Sequence, residues 1–303
     1  MYATLIVVAV VWGGATGLLL PRAAYRLSVE PDHPWRDTCP AGHSITGPAG
    51  GWLGGTRCAS CAAGVPARTP ATGTGTGTAT EAQAKAESPA PDAAPVPDTA
   101  PATTEAATAV APDAPQLPVA SVPYAPSVLI PLLTALVCAA LAAATGPRPE
   151  LAVWLLFTPF AVLLALVDRH VHRLPDQLTL PLAAAAAVLL GVAALLPGAG
   201  GSWSLALLGG LALGVCYFVL FLINPNGMGF GDVKLALSLG VALGWYGWLV
   251  LFVGAFVGFL LGALYGLGLI LLRRAGRKSA IPFGPFMITG ALAGILLGAL
   301  AVA

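Results

Sequence analysis

Long apolar runs separated by short polar turns dominate this chain. Eight of them read as membrane spans: about 2–20, 127–145, 150–167, 179–197, 203–223, 233–244, 247–272 and 282–302. A helix of roughly 20 apolar residues crosses about 30 Å of hydrocarbon, so most of these runs fit one crossing each. The sixth is short. The first could be mistaken for a signal peptide. However, no basic residue precedes position 20, so the charged leading region of such a peptide is missing and the run reads as a retained span. The expected fold is an all-α polytopic membrane protein of about eight transmembrane helices.

Composition supports this reading. Hydrophobic residues make up 57% of the 303 positions and charged residues 9%, against about 25% charged in ordinary soluble domains. Lipid is therefore the main solvent. A net charge of +1 suggests no nucleic-acid partner. Between the first two spans the composition changes twice. Residues 21–61 are polar and hold three of the five cysteines. Residues 62–125 are rich in Ala, Thr, Pro, Gly and Ser, and include "ATGTGTGTAT". That segment cannot bury enough apolar surface to offset its ordering entropy and is expected to be a disordered linker. The expected organisation is thus a first span (1–20), a small cytoplasmic Cys-rich insert (21–61), the linker (62–125) and a membrane domain (126–303).

Basic residues near span ends tend to stay on the cytoplasmic side. Arg22, Arg26, Arg36 and Arg57 follow the first span. Arg169 and Arg173 follow the third, Lys234 begins the sixth, and Arg273, Arg274, Arg277 and Lys278 follow the seventh. The opposite loops hold only Arg148. Eight spans with the N-terminus outside place every basic cluster in the cytoplasm.

The acids are scarcer. From Leu151 to Ala303 there are three: Asp168, Asp176 and Asp232. Asp168 ends the third span and Asp232 begins the sixth. The chain crosses out and back between them, so both are expected at the cytoplasmic face. Ionisable groups at membrane depth are usually functional. Two neighbouring carboxylates cannot both ionise easily. One can then act as a base on water while the other protonates a peptide carbonyl oxygen, which is aspartic-protease chemistry. The simpler account is that such residues cap helices or sit in interfacial water. Asp176, between Pro175 and an apolar run, suits an N-cap. Asp168 does not, because a helix C-terminus disfavours an anion. Asp232 stands behind Gly227, Gly229 and Gly231, which permit a bend and close backbone approach. Lys234 could hold the Asp232 charge, orient the loop or simply snorkel.

These residues also carry a resemblance. "GMGFGDVKL" resembles the GxGD motif of the type IV prepilin peptidases, a group of intramembrane aspartic proteases. "DRHVHRLPDQLTLP" resembles their first aspartate motif, "IPFGPFMITGAL" their C-terminal segment, and "GGATGLLLPRAAYRL" their first span and its basic exit. The resemblance implies that Asp168 and Asp232 are the catalytic pair in a bacterial inner membrane. It implies removal of a basic leader from prepilin or pseudopilin precursors at the cytoplasmic face. It also raises N-methylation of the new N-terminus, with S-adenosylmethionine as donor. One rival is a GxGD protease of the presenilin or signal-peptide-peptidase kind, but those place the first Asp in a Tyr-Asp pair, whereas Asp168 follows Val167. Another is a transporter using the two aspartates as a proton relay. Transporters often show repeated halves, and none is evident.

The insert reads "CPAGHSITGPAGGWLGGTRCASC". Cys39, His43, Cys58 and Cys61 have zinc-ligand types and near-knuckle spacing. The reducing cytoplasm disfavours disulfides. The resembled family often has a further cysteine where this chain has "CPAGH", so either His43 is the fourth ligand or the thiols are free. Cys138 and Cys216, inside spans, read as small apolar residues. His170 and His172, beside two arginines, suit a headgroup surface better than a metal. Gly254, Gly258, Gly262 and Gly266 permit close helix contact, either within the bundle or with a substrate helix.

Overall fold

The computed structural model describes residues 2–29, 33–54, 58–64, 128–172, 174–225, 228–272 and 282–302. Among these residues all regular elements are helices, apart from one isolated bridge between Thr38 and Ser44. The helices are α1 (Tyr2–Leu27), α2 (Pro48–Gly51), α3 (Ala59–Ala62), α4 (Leu129–Thr145), α5 (Glu150–Val171), α6 (Asp176–Ala194), α7 (Trp203–Ile223), α8 (Phe230–Gly244), α9 (Trp248–Leu271) and α10 (Gly284–Ala301). Six of them are long and apolar enough to cross a membrane: α1, α5, α6, α7, α9 and α10. The linker reading falls almost wholly on residues 65–127, which lie outside the described residues.

The two shorter long helices have different surroundings. α4 is an apolar helix of 17 residues packed on α1, α5 and α10. α8 has 15 residues, carries Asp232 and Lys234, and packs against α6, α7, α9 and α10. Ten of its residues are buried. A helix enclosed by other helices need not be uniformly apolar, because lipid is not its neighbour. This is why its run was the weakest of the eight in the sequence.

Helix contacts are close where glycines face each other. A Cβ on Gly240 of α8 would meet the Gly209 carbonyl of α7 and stand 2.9 Å from the Gly210 Cα. A Cβ on Gly290 of α10 would meet backbone atoms of Gly254 and Gly258 on α9. Gly254, Gly258, Gly262 and Gly266 are all buried along α9, and the first three face α8 or α10. The role of these three is packing within the bundle.

α1 runs about two turns past the predicted span end, to Leu27. Its arginines Arg22 and Arg26 are buried. Arg22 donates from Nη1 to the Leu53 carbonyl (3.0 Å) and from Nη2 to that of Thr46 (2.6 Å). Arg26 donates to the Gly50 carbonyl (2.8 Å) and lies over the Trp52 ring at 4.2 Å. These bonds seat the Cys-rich loop on the end of α1.

Gly290→Ala forces a methyl group onto the α9 backbone, where nothing can yield cheaply, and should destabilise the protein by about 1–3 kcal/mol. Thermal unfolding in detergent should show a lowered midpoint. Gly268→Ala, facing open space, should leave it unchanged.

Candidate functional site

The C-terminal ends of α1, α5 and α7 meet the N-terminal ends of α6, α8 and α10 at one end of the bundle. Asp168 lies in the last turn of α5 and is 4% exposed. The C-terminal dipole of α5 disfavours an anion there. A second helix compensates: the Gly284 N–H, the first of α10, donates to Asp168 Oδ2 at 2.9 Å. Pro285 follows in the first turn, where a missing N–H is tolerated. Glycine at 284 leaves the needed space, since a Cβ there would lie 2.8 Å from Asp168 Oδ2. His172 ends α5 in the left-handed region (φ 52°), and its N–H caps the Asp168 carbonyl at 2.8 Å.

Asp232 is the third residue of α8 and is 7% exposed. Its Oδ2 accepts the Gly229 N–H at 3.2 Å, and its own N–H donates to the Gly229 carbonyl at 3.0 Å. This is half of a capping box, with a carboxylate at the favourable end of the helix dipole. Asp168 and Asp232 line one largely polar cavity of about 780 Å³. His33 and Trp35, from the segment after α1, form part of its wall, with Leu174, Phe221 and Met228. Two carboxylates in one buried cavity cannot both ionise easily, so the pair is suited to holding one proton between an acid and a base.

Other expected residues fall differently. Asp176 is not an N-cap: Pro175 occupies that position and Asp176 opens α6 with no side-chain capping bond. Its carboxylate pairs with Lys234 Nζ at 2.6 Å. Lys234 also lies 4.8 Å from the Phe230 ring centroid. Its ion-pair partner is thus Asp176, across the cavity wall, and not Asp232. Gly229 has an ordinary extended conformation (φ −73°). Gly231 is the position of close approach, where a Cβ would stand 3.0 Å from Leu174 Cβ. Gly227 lies outside the described residues. His170 Nδ1 is 2.6 Å from the Leu166 carbonyl, within its own helix.

Sequence reasoning missed three features. The role of the Gly284 amide was one, although its motif had been noticed. The contribution of His33 and Trp35 to the cavity wall was another. The third was Glu150, which is fully buried at the opposite end of α5. It accepts the Gly200 N–H on both oxygens (3.2 and 3.3 Å) and lies 3.9 Å from Arg148.

The insert brings Cys39, His43, Cys58 and Cys61 together, with one ligand atom from each lying within 4.8 Å of the others. Cys39 Sγ is 3.7 Å from Cys61 Sγ and 3.6 Å from His43 Nδ1, which is 3.2 Å from Cys61 Sγ. A tetrahedral site with metal–sulfur bonds of about 2.3 Å has sulfur–sulfur edges of about 3.8 Å, so the donor set fits a metal ion. Burial disfavours the Cys58 thiolate, but hydrogen bonds from Cys61, Ser60 and Cys39 outweigh it and bring its pKa down to about 7. Cys61 is only partly buried; that partial burial, and then hydrogen bonding with Cys39 and Cys58, push its thiol up to about 12. One thiol thus ionises readily and a second does not, a charge balance that a bound cation would change.

A polytopic helical bundle with two buried aspartates facing one cavity at a membrane end defines the class: a membrane protein with a paired intramembrane carboxylate site. Residues 155–300 match the family model described as the type IV leader peptidase family. The chain is 36% identical over 171 residues to the prepilin leader peptidase/N-methyltransferase of Aeromonas salmonicida, covering 56% of this chain and 57% of that protein. It is 37% identical over 177 residues to the protein of the same name from Aeromonas hydrophila (56% and 58%). It is 30% identical over 170 residues to the one from Bacillus subtilis (55% and 64%). The aligned part thus spans little more than half the length of the Aeromonas relatives. No solved structure matches the chain.

Purified protein should carry about one metal ion per chain by elemental analysis. Cys58→Ser with Cys61→Ser should reduce that to near zero while the bundle keeps its helical circular dichroism.

Proposed function

We propose that this chain is a prepilin leader peptidase of a bacterial inner membrane. It cuts prepilin or pseudopilin precursors between a basic leader and the apolar helix that follows. The observation that carries this reading is the shared cavity of Asp168 and Asp232, each on a different helix end and each held by a backbone amide. One aspartate takes a proton from water as its oxygen attacks the scissile carbonyl carbon. The other donates a proton to the carbonyl oxygen. Collapse of the tetrahedral species then breaks the C–N bond, with a proton passing to the leaving amine.

The basic residues flanking this end of the bundle support a cytoplasmic site with the N-terminus outside. In this reading residues 126–303 form the peptidase domain, 21–61 a zinc-binding insert and 62–125 a linker. Zinc suits the mixed thiolate and imidazole donors of Cys39, His43, Cys58 and Cys61. It would hold the insert closed and take no part in peptide cleavage. The relatives' names also support N-methylation of the new N-terminus, for which S-adenosylmethionine would supply the methyl group.

With a co-expressed precursor, Asp168→Asn and Asp232→Asn should each abolish leader removal, while Asp176→Asn, an exposed ion-pair partner, should retain it. Cleavage by either of the first two would overturn the mechanism. Gly284→Ala should displace the Asp168 carboxylate and lower kcat/KM by about a hundredfold, the scale expected for a misplacement of about 1 Å. Its thermal midpoint should stay near wild type.

A further inference from the structure

A second cavity, of about 390 Å³, lies deeper in the bundle between α4, α5, α6, α8 and α10. Leu133, Phe157, Leu182, Leu239 and Leu292 typify its walls. Its hydroxyl groups are all turned back onto their own helices. Thr158 donates to the Trp154 carbonyl, Ser238 to that of Leu235 and Thr289 to that of Pro285, each at 2.8 Å. The Trp154 Nε1–H is bonded to the Tyr246 hydroxyl at 3.1 Å. Among the lining residues the one charged side chain is Arg169.

The position of this cleft matters more than its size. Arg169 adjoins Asp168 in sequence, Pro285 adjoins Gly284, and Leu235 lies one helical turn beyond Asp232. The three helices that carry the aspartates and the Gly284 amide therefore also form the near end of the cleft. From there it follows α5 as far as Val153, about 24 Å at 1.5 Å per residue. Leu133 and Thr289 on its rim are exposed at the outer surface of the bundle.

Building on the peptidase reading, we propose that this cleft seats one face of the substrate's apolar helix. When the scissile bond lies between the aspartates, the basic leader occupies the polar cavity. The chain on the other side must then run into the bilayer. A helix satisfies its own backbone groups and asks nothing polar of its surroundings, whereas an extended chain would leave its amides unpaired. The cleft offers apolar wall and no free hydroxyl, which selects the helix. Its volume accommodates a row of side chains from one helix face and leaves the rest of that helix in lipid. Polar cavity and apolar cleft together read the two halves of the substrate on either side of the cut.

The test places a photoreactive benzoyl-phenylalanine at Thr289 in the full chain, made inactive by Asp232→Asn, with co-expressed membrane-embedded precursor. Illumination should join position 289 to the apolar helix of the precursor, while the same group at Leu264, on the exposed side of α9, should not. In the otherwise wild-type chain, Ala161→Phe should lower kcat/KM for the precursor about tenfold relative to that for a short leader peptide lacking the helix, a change within reach of a filled apolar pocket. Adducts to lipid alone at position 289, or an equal effect of Ala161→Phe on both substrates, would overturn the assignment. If the wild-type chain cuts neither substrate, the peptidase reading itself fails, and the cleft assignment with it.

Discussion

The site depends on the hydrogen bond from the Gly284 amide to Asp168. A carboxylate in the last turn of a membrane helix is disfavoured twice, by the dipole of its own helix and by loss of water. The bond from α10 relieves both, because it supplies a donor and the positive end of a second helix. That relief requires α10 to hold its register along α5. The opposite end of the bundle provides the constraint. Arg148, just before α5, donates from Nε to the Thr145 carbonyl (2.6 Å) and from Nη2 to those of Ala144 (3.0 Å) and Ala299 (2.6 Å). Glu150, which accepts the Gly200 amide, supplies the countercharge that a buried guanidinium needs. α5 and α10 are thus tied at both ends, by a neutral donor to a carboxylate on one side and by a cation to a carbonyl on the other.

The Cys-rich insert belongs to the same assembly. Arg22 and Arg26 extend from α1 into the loop and fix its carbonyls. Trp52, beneath Arg26, meets Trp35 edge to face at a centroid distance of 5.2 Å. Trp35 in turn lines the aspartate cavity. A loop with little apolar core of its own is therefore ordered by α1 on one side and by its thiol and imidazole cluster on the other, and one of its edges becomes a wall of the site.

Much of this was legible in the sequence because lipid enforces a simple grammar. A span must be a continuous apolar run, so the eight runs appeared at nearly the positions of the eight long helices. Acids are so rare in such a chain that Asp168 and Asp232 could be singled out by scarcity, and the alternation of crossings put them at one end. What the sequence hid were pairings between distant residues. Lys234 stood two positions from Asp232, yet its ion pair is with Asp176 from another helix. Arg22 and Arg26 read only as part of a cytoplasmic basic cluster, because their loop-carbonyl partners are backbone atoms and carry no compositional signal. Glu150 lay at a predicted boundary, where an acid attracts no notice until its burial is known. Gly231 could be read as a place of close approach, but only the fold shows that Leu174 does the approaching.

The two aspartates are held in unequal ways, and this has consequences for the site. Asp232 bonds an amide three residues away, inside the turn that starts its own helix. That contact survives any rigid movement of α8. Asp168 bonds an amide 116 residues away, on a different helix. Its setting therefore depends on how α10 packs, and α10 packs against α9 through Gly254, Gly258 and Gly290 at backbone contact. At those backbone contacts no side chain lies between the two helices to absorb a small displacement, so a shift of α10 is transmitted along the helix to Gly284. The glycines of α9 and α10 thus do more than let two helices approach. They make the position of the donor to Asp168 a property of the whole bundle, while the position of Asp232 remains a property of one turn.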